Sequence, residues 1–300
     1  MASNSLKKVS GSRHSKHTSG SRHDRQKTTS GLADEYLHGF SKEEQKRLYE
    51  QARYLEKSVY DGVDFSSARN LIEIGSGVGA QTEILLERFP HLKITGVDAS
   101  PEQIKTATTR LKKQISKKQV QLQTGDALNL PFRDDVFDAA FLCWFLEHVS
   151  EPVGILKEAQ RVLKPGAVIY CNEVMNSTFF IDPYSPATQK YWFAFNDHQW
   201  CMKGDPFVGA KLANYLIDAG FKNIQTQTKI QHYDNRTPKL RSQFIEFWIQ
   251  LLLSGASGLI QAKKVDSKLM KQLTSELNRL KKDPNAVVYI AWMQARAEAV

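Results

Sequence analysis

Between Asn70 and Val174, short apolar segments alternate with helical ones at regular intervals, and this alternation constrains the fold more than any other feature. "NLIEIG", "LKITGVDAS", "QVQLQTGDA", "FDAAFLCWF" and "GAVIYCNEV" read as strands, while "AQTEILLERF" and "EPVGILKEAQRVL" read as helices. Ser100-Pro101-Glu102-Gln103 marks a helix start twice over, with a capping serine, Gln at N3 and Pro at N1. Strands separated by helices form βαβ units, hence a parallel sheet with helices on both faces. Right-handed crossovers wind such a sheet doubly.

The flanks extend the pattern. "GFSKEEQKRLYEQARYLEKSVY" reads as an upstream helix whose Ser41 and Glu44 form a capping box. From 176 onward an aromatic-rich stretch leads to the helix "VGAKLANYLIDAG". Two strands, around 222–234 and 286–297, then bracket a mostly helical segment at about 240–283, completing a seven-stranded sheet. The stretches 176–215 and 236–284 read as helical insertions outside the sheet, and 68–175 as its core.

Charge is uneven along the chain. The formal net charge is +9, but about +6 of it lies in residues 1–31, where Ser, Gly, His, Lys and Arg leave almost no apolar side chain. Such a segment cannot offset its ordering entropy by burial and reads as a disordered tail, either a solubilising extension or a basic tether. The remaining 32–300 is close to neutral for its size and offers no case for a nucleic-acid groove. Cys143, Cys171 and Cys201 stand far apart with no metal-ligand spacing, and the tail has no apolar signal region. Both features point to reduced thiols and a cytoplasmic protein without membrane insertion.

"LIEIGSGVGA" (71–80) carries Gly75, Gly77 and Gly79 directly after the first strand. Glycines there allow a tight turn and bring backbone N–H groups to a ligand at a helix N-terminus. Asp98, 23 residues after Gly75 at the end of the second strand, is placed to accept a ribose diol. The loop and Asp98 fit NAD(P) and S-adenosylmethionine equally.

Downstream segments separate the two. "GDALNLPF" follows the third strand, "FDAAFLCWFLEHV" is the fourth, and "RVLKPGAVIY" leads into the fifth. With the loop Glu73-x-Gly75-x-Gly77-x-Gly79 and Asp98, these residues strongly resemble the class I S-adenosylmethionine-dependent methyltransferases, in the small-molecule branch related to quinone-, sterol- and amine-modifying enzymes. The resemblance implies a Rossmann-like sheet with a lid helix region at 32–67 and a substrate cap built from the insertions. It implies a cofactor shell of Tyr36, Glu73, Gly75, Ser76, Gly77 and Gln81, continued by Asp98, Ala99, Gln103, Asp126, Ala127 and Cys143. Asp126 would bond the adenine amine and Ala127 line its ring.

The acceptor side follows from position. Residues just after strands four and five lie beside the methyl group, which makes Trp144, Glu147 and Asn176 candidate acceptor contacts and His148 and Glu173 candidate catalytic groups. Tyr184, Trp192 and Asp197 in the aromatic stretch would line an acceptor chamber, or the stretch would simply glue a lid helix to the sheet. "CWFLE" stands where a nucleobase N-methylase would carry [DN]-P-P-[YFW], which argues against an adenine or glutamine amide acceptor. The expected activity is methyl transfer to O, N or C of a small organic molecule. The alternatives are a tRNA or protein methyltransferase recruited by the tail, and a non-catalytic cofactor-binding module.

Overall fold

The computed structural model describes Gly39 and residues 41–300. The expectations for the tail at 1–31 and for Tyr36 lie outside the described residues. Helix α1 (Lys42–Val59) starts where Ser41 Oγ accepts the N–H of Glu44 at 3.1 Å. Glu44 does not reach back to complete the box; its carboxylate instead takes the Arg47 guanidinium at 2.6 and 2.7 Å.

Five parallel strands follow, each with its crossover: β1 (Asn70–Ile74), α2 (Ala80–Arg88), β2 (Lys93–Asp98), α3 (Pro101–Arg110), α4 (Lys112–Ser116), β3 (Val120–Thr124), β4 (Phe137–Cys143), α5 (Pro152–Val162) and β5 (Leu163–Val174). Then come β6 (Phe180–Asp182), α6 (Pro186–Cys201), α7 (Val208–Asp218), β7 (Lys222–Tyr233), α8 (Pro238–Ser254), α9 (Ala256–Gln261), α10 (Ser267–Lys282) and β8 (Val287–Glu298). The sheet runs β3-β2-β1-β4-β5-β8, parallel through β5 and antiparallel from β5 to β8, with β7 along the far edge of β8. All seven expected strands are present. The eighth, β6, is a three-residue segment opposite Val287–Tyr289, where β5 has already left the edge of β8.

The motifs at the amino ends of the strands serve the sheet itself. Asp138 accepts the N–H groups of Arg69 and Asn70 and the Lys164 ammonium, at 3.1, 2.8 and 2.6 Å, which pins β1, β4 and the Leu163–Gly166 turn together.

Alternating side chains sort into two layers. Ile72, Ala140, Leu142 and Ile169 face α5 and α7, while Leu71, Ala139, Phe141 and Tyr170 face the side holding α1 and α2. Helix α7 packs in the first of these layers, so the chain returns to the sheet at Val208. A third core lies outside both. It holds Phe179, Trp192 and Phe195 against Phe244 and Trp248 of α8 and Leu273 and Leu277 of α10. The N-terminus of α6 is closed by buried Glu276 of α10, which accepts the N–H groups of Ala187 and Thr188 at 3.1 and 2.9 Å. The two insertions are thereby fastened into one cap.

Candidate active site

The glycine turn does what its composition requires. Gly75, Gly77 and Gly79 have φ of +77°, +50° and +74°, a region that suits glycine. Gly75 and Ser76 donate to the Val97 carbonyl at 2.8 and 3.1 Å, stitching the loop to the end of β2. A Cβ at Gly75 would lie 2.4 Å from the Phe145 ring, whereas one at Gly77 would meet nothing within 4 Å.

Asp98 is held from two sides. Gly77 N–H donates to Oδ2 at 2.8 Å and Ser100 N–H to Oδ1 at 2.9 Å. Each oxygen keeps a further lone pair, so the carboxylate is oriented and still able to accept a diol. Burial pushes this carboxyl above the ordinary aspartate value, against the pull of the two N–H bonds. Ser76 Oγ is buried with no partner, and Gly77 faces open space. An orphan hydroxyl, an oriented carboxylate and a backbone cradle fit the polar end of a nucleoside-type cofactor.

The other expected cofactor residues divide by burial. Glu73 is 2% exposed and accepts the Thr82 hydroxyl at 2.5 Å. Gln81 donates to Cys143 Sγ at 3.5 Å and accepts the Tyr60 hydroxyl at 2.8 Å, joining α2, β4 and the end of α1. Gln103 is buried at the start of α3, where its Oε1 takes the Gln45 amide of α1 at 3.4 Å. Ala127 is buried, while Ala99 and Asp126 are exposed at the rim; Asp126 Oδ1 accepts the Leu128 N–H at 2.9 Å.

Beyond β4 the backbone turns sharply. Trp144 sits at φ +51°, a conformation a bulky residue adopts only when its surroundings impose it. What imposes it is Glu173, fully buried, whose Oε1 accepts the N–H groups of Phe145 and Leu146 at 3.2 and 2.9 Å. Its Oε2 has no partner. Glu147 lies in the next turn; its carbonyl accepts Asp205 N–H at 2.8 Å and its carboxylate takes the Gln199 amide at 2.9 Å. His148 Nε2 stands 3.7 Å from Glu147 Oε1. Asn176 is buried; its amide donates to Asn196 Oδ1 at 2.9 Å and its carbonyl accepts the Trp192 indole N–H at 2.9 Å.

Three of the expected acceptor contacts stand on or just before α6. Trp192, 4% exposed, is stacked on Phe195 and touches Phe179 and Trp248 inside the cap core, the lid-packing alternative. Tyr184 is 76% exposed and Asp197 also stands at the surface. Helix α6 turns Trp192 and Phe195 inward and Asp197 outward, as a 3.6-residue period dictates. Residues absent from the sequence reading also meet here. Trp292 of β8 lies edge-on to Trp144 at 6.1 Å with its indole N–H unpartnered, and Tyr60, Phe145 and Gln199 brace the loops. Trp292 stands 148 residues from Trp144, beyond reach of any local motif.

Burial raises the carboxyls of Glu73 and Glu173 to about 8. Both exceed the unfolded value of roughly 4.3, so the folded chain holds more protons between those limits. The stability this confers is complete below the unfolded value and is lost as pH rises through about 8. The cofactor-free protein is therefore expected to lose on the order of a few kcal/mol from pH 5 to 9. Denaturant melts across that range measure it, and Glu73→Gln, which keeps the acceptor for Thr82, flattens the slope; a slope unchanged in Glu73→Gln and in Glu173→Gln refutes the assignment.

A family model described as a methyltransferase domain matches residues 72–171. Norajmaline N-methyltransferase of Rauvolfia serpentina is 33% identical over 112 residues, which are 37% of this chain and 38% of that protein. Demethylmenaquinone methyltransferase of Staphylococcus aureus is 30% identical over 196 residues, 60% of this chain and 79% of that one. The solved phosphoethanolamine N-methyltransferase 2 of Haemonchus contortus, with S-adenosylhomocysteine, shares the fold at a TM-score of 0.50 and 16% identity, covering 82% of this chain and 52% of that one. The glycine turn, the oriented Asp98 and these matches agree: the chain belongs to the class I S-adenosylmethionine-dependent methyltransferases, with S-adenosylmethionine as its cofactor.

Proposed function

We propose that the chain methylates an O, N or C nucleophile of a small organic molecule enclosed between the strand ends and the cap. The observation that carries this is the bonding of the cap to the residues just past β4 and β5. Gln199 of α6 donates to both the carbonyl and the carboxylate of Glu147, at 3.1 and 2.9 Å, and Asn196 receives the Asn176 amide. A cap fastened there covers the acceptor side and excludes water, an arrangement suited to a small acceptor rather than a folded macromolecule. The names of the norajmaline and demethylmenaquinone enzymes point to small acceptors as well.

When bound, S-adenosylmethionine supplies a methyl group already activated by a sulfonium. The chain's own residues then need to bind, orient and dry the site. Asp98 and the Gly75–Gly79 turn fix the nucleoside end. Glu173 acts as a positioning residue, holding the turn that presents Trp144, Glu147 and His148. The Glu147–His148 pair is the proton acceptor for a nucleophile that arrives protonated, contributing about 10²–10⁴ in rate.

Methyl-labelled cofactor, the purified chain and a fractionated metabolite extract test the reading. Label is expected in a low-molecular-weight product, at a rate unchanged when residues 1–31 are removed. Label in RNA or protein, lost with the tail in a salt-dependent way, overturns it in favour of macromolecular methylation.

A further inference from the structure

The outer face of α6 has no role in the site, yet it is built unlike an ordinary solvated helix face. Lys190, Phe193, Asp197 and Trp200 fall on one stripe, and Phe193 and Trp200 are 64% and 57% exposed. The stripe continues onto neighbouring elements. Lys211 Nζ lies 5.5 Å from the Trp200 ring centre, and Lys264 Nζ, one turn beyond exposed Ile260, lies 3.9 Å from Cys201 Sγ. At the other end, exposed Tyr184 precedes the helix.

Beside Lys190 a groove of about 570 Å³ opens between α6 and α10, lined by Lys190, Lys268 and Arg279. It also contains two carboxylates, both bonded to helix N-termini, so the lining keeps a net charge of +1. Asp266 accepts the Leu269 N–H at 2.7 Å, and Glu276 holds the first turn of α6. None of the three cations has an ion-pair partner among the described residues. Large aromatics bordered by lysines, next to a basic groove of this size, are the composition of a surface that lies in the interfacial layer of an anionic membrane. There Trp and Phe enter the headgroup boundary, while Lys and Arg meet lipid phosphates and carboxylates. No helix of the described residues is long and apolar enough to cross a bilayer.

We infer that the outer face of α6, with the α6–α10 groove, docks this protein onto anionic phospholipid bilayers. Two variants separate its parts in the full chain: Phe193→Ser with Trp200→Ser, and Lys190→Glu with Lys268→Glu. All four positions are exposed, and unchanged melting of either variant keeps the readout on the surface.

Co-sedimentation with phosphatidylserine–phosphatidylcholine vesicles is expected to capture the native chain, and phosphatidylcholine alone to capture little of it. Each lysine removed is expected to cut partitioning about fivefold, and the aromatic pair to cut it about tenfold or more. Brominated acyl chains are expected to quench native tryptophan emission more than that of the Trp200→Ser chain. Capture that neither variant changes, or that disappears only when residues 1–31 are removed, overturns the inference and places the affinity in the tail. So does a loss of RNA binding in both variants with vesicle capture intact.

Discussion

Gly75→Ala is expected to abolish measurable cofactor binding and to destabilise the fold by about 2–5 kcal/mol. Two costs add. At φ +77° an alanine pays roughly 1–2 kcal/mol for the left-handed conformation. Its Cβ would also lie 2.4 and 2.7 Å from two atoms of the Phe145 ring. Rotating the ring does not clear the contact, because Phe145 Cβ itself would lie 3.1 Å away and the Phe145 backbone N–H is held by buried Glu173 at 3.2 Å. Overpacking of this kind costs about 1–3 kcal/mol more. In a melt the drop is roughly 5–15 °C. Gly77→Ala is the control. Its φ is +50° and its Cβ would meet nothing within 4 Å, so the melting temperature is expected to stay within a few degrees. Cofactor affinity still falls, because the added methyl enters the cradle. Equal destabilisation by the two changes would show that the Phe145 contact is not what makes Gly75 necessary.

The contrast also shows where sequence reading works. Strand and helix alternation, the cap at Ser100 and the acid at Asp98 are local patterns set by backbone geometry, and each stands where its residues indicate. That three glycines were needed was legible; which of them faces a wall was not, since Phe145 comes from 70 residues downstream. Glu173 was legible as a cleft-side acid at the end of β5. Its hold on the 145–146 amides depends on strand adjacency that no spacing reveals. The directions of Trp192, Tyr184 and Asp197 were illegible for a different reason. Helix α6 is aromatic on both faces, with Tyr191, Trp192 and Phe195 inside and Phe193 and Trp200 outside, so composition carried no direction. Only the partner helices α8 and α10, more than 40 residues on, decide which face is dry.

Asp98→Ala is expected to weaken cofactor binding by about 1–3 kcal/mol, roughly fivefold to 150-fold, while leaving the fold nearly intact. The carboxylate does two things, and the change removes both. It accepts the Gly77 and Ser100 N–H groups at 2.8 and 2.9 Å, setting the loop against the start of α3. Its remaining lone pairs are also expected to accept the ribose hydroxyls, which would otherwise be desolvated without partners. Gly77 is only partly buried, so its freed N–H can turn to water, which keeps the loss of intrinsic stability modest even with the Ser100 N–H left in a buried residue. Binding bears the cost instead. Asp98→Asn separates the two roles: one oxygen remains to accept an N–H, but the amide turns a donor toward the other. It is expected to bind no better than Asp98→Ala. Calorimetry with S-adenosylmethionine and the ligand-induced rise in melting temperature read the two effects apart. Unchanged affinity in Asp98→Ala would show that the ribose is held elsewhere. A large drop in the melting temperature without ligand would instead make Asp98 a structural clamp of the loop.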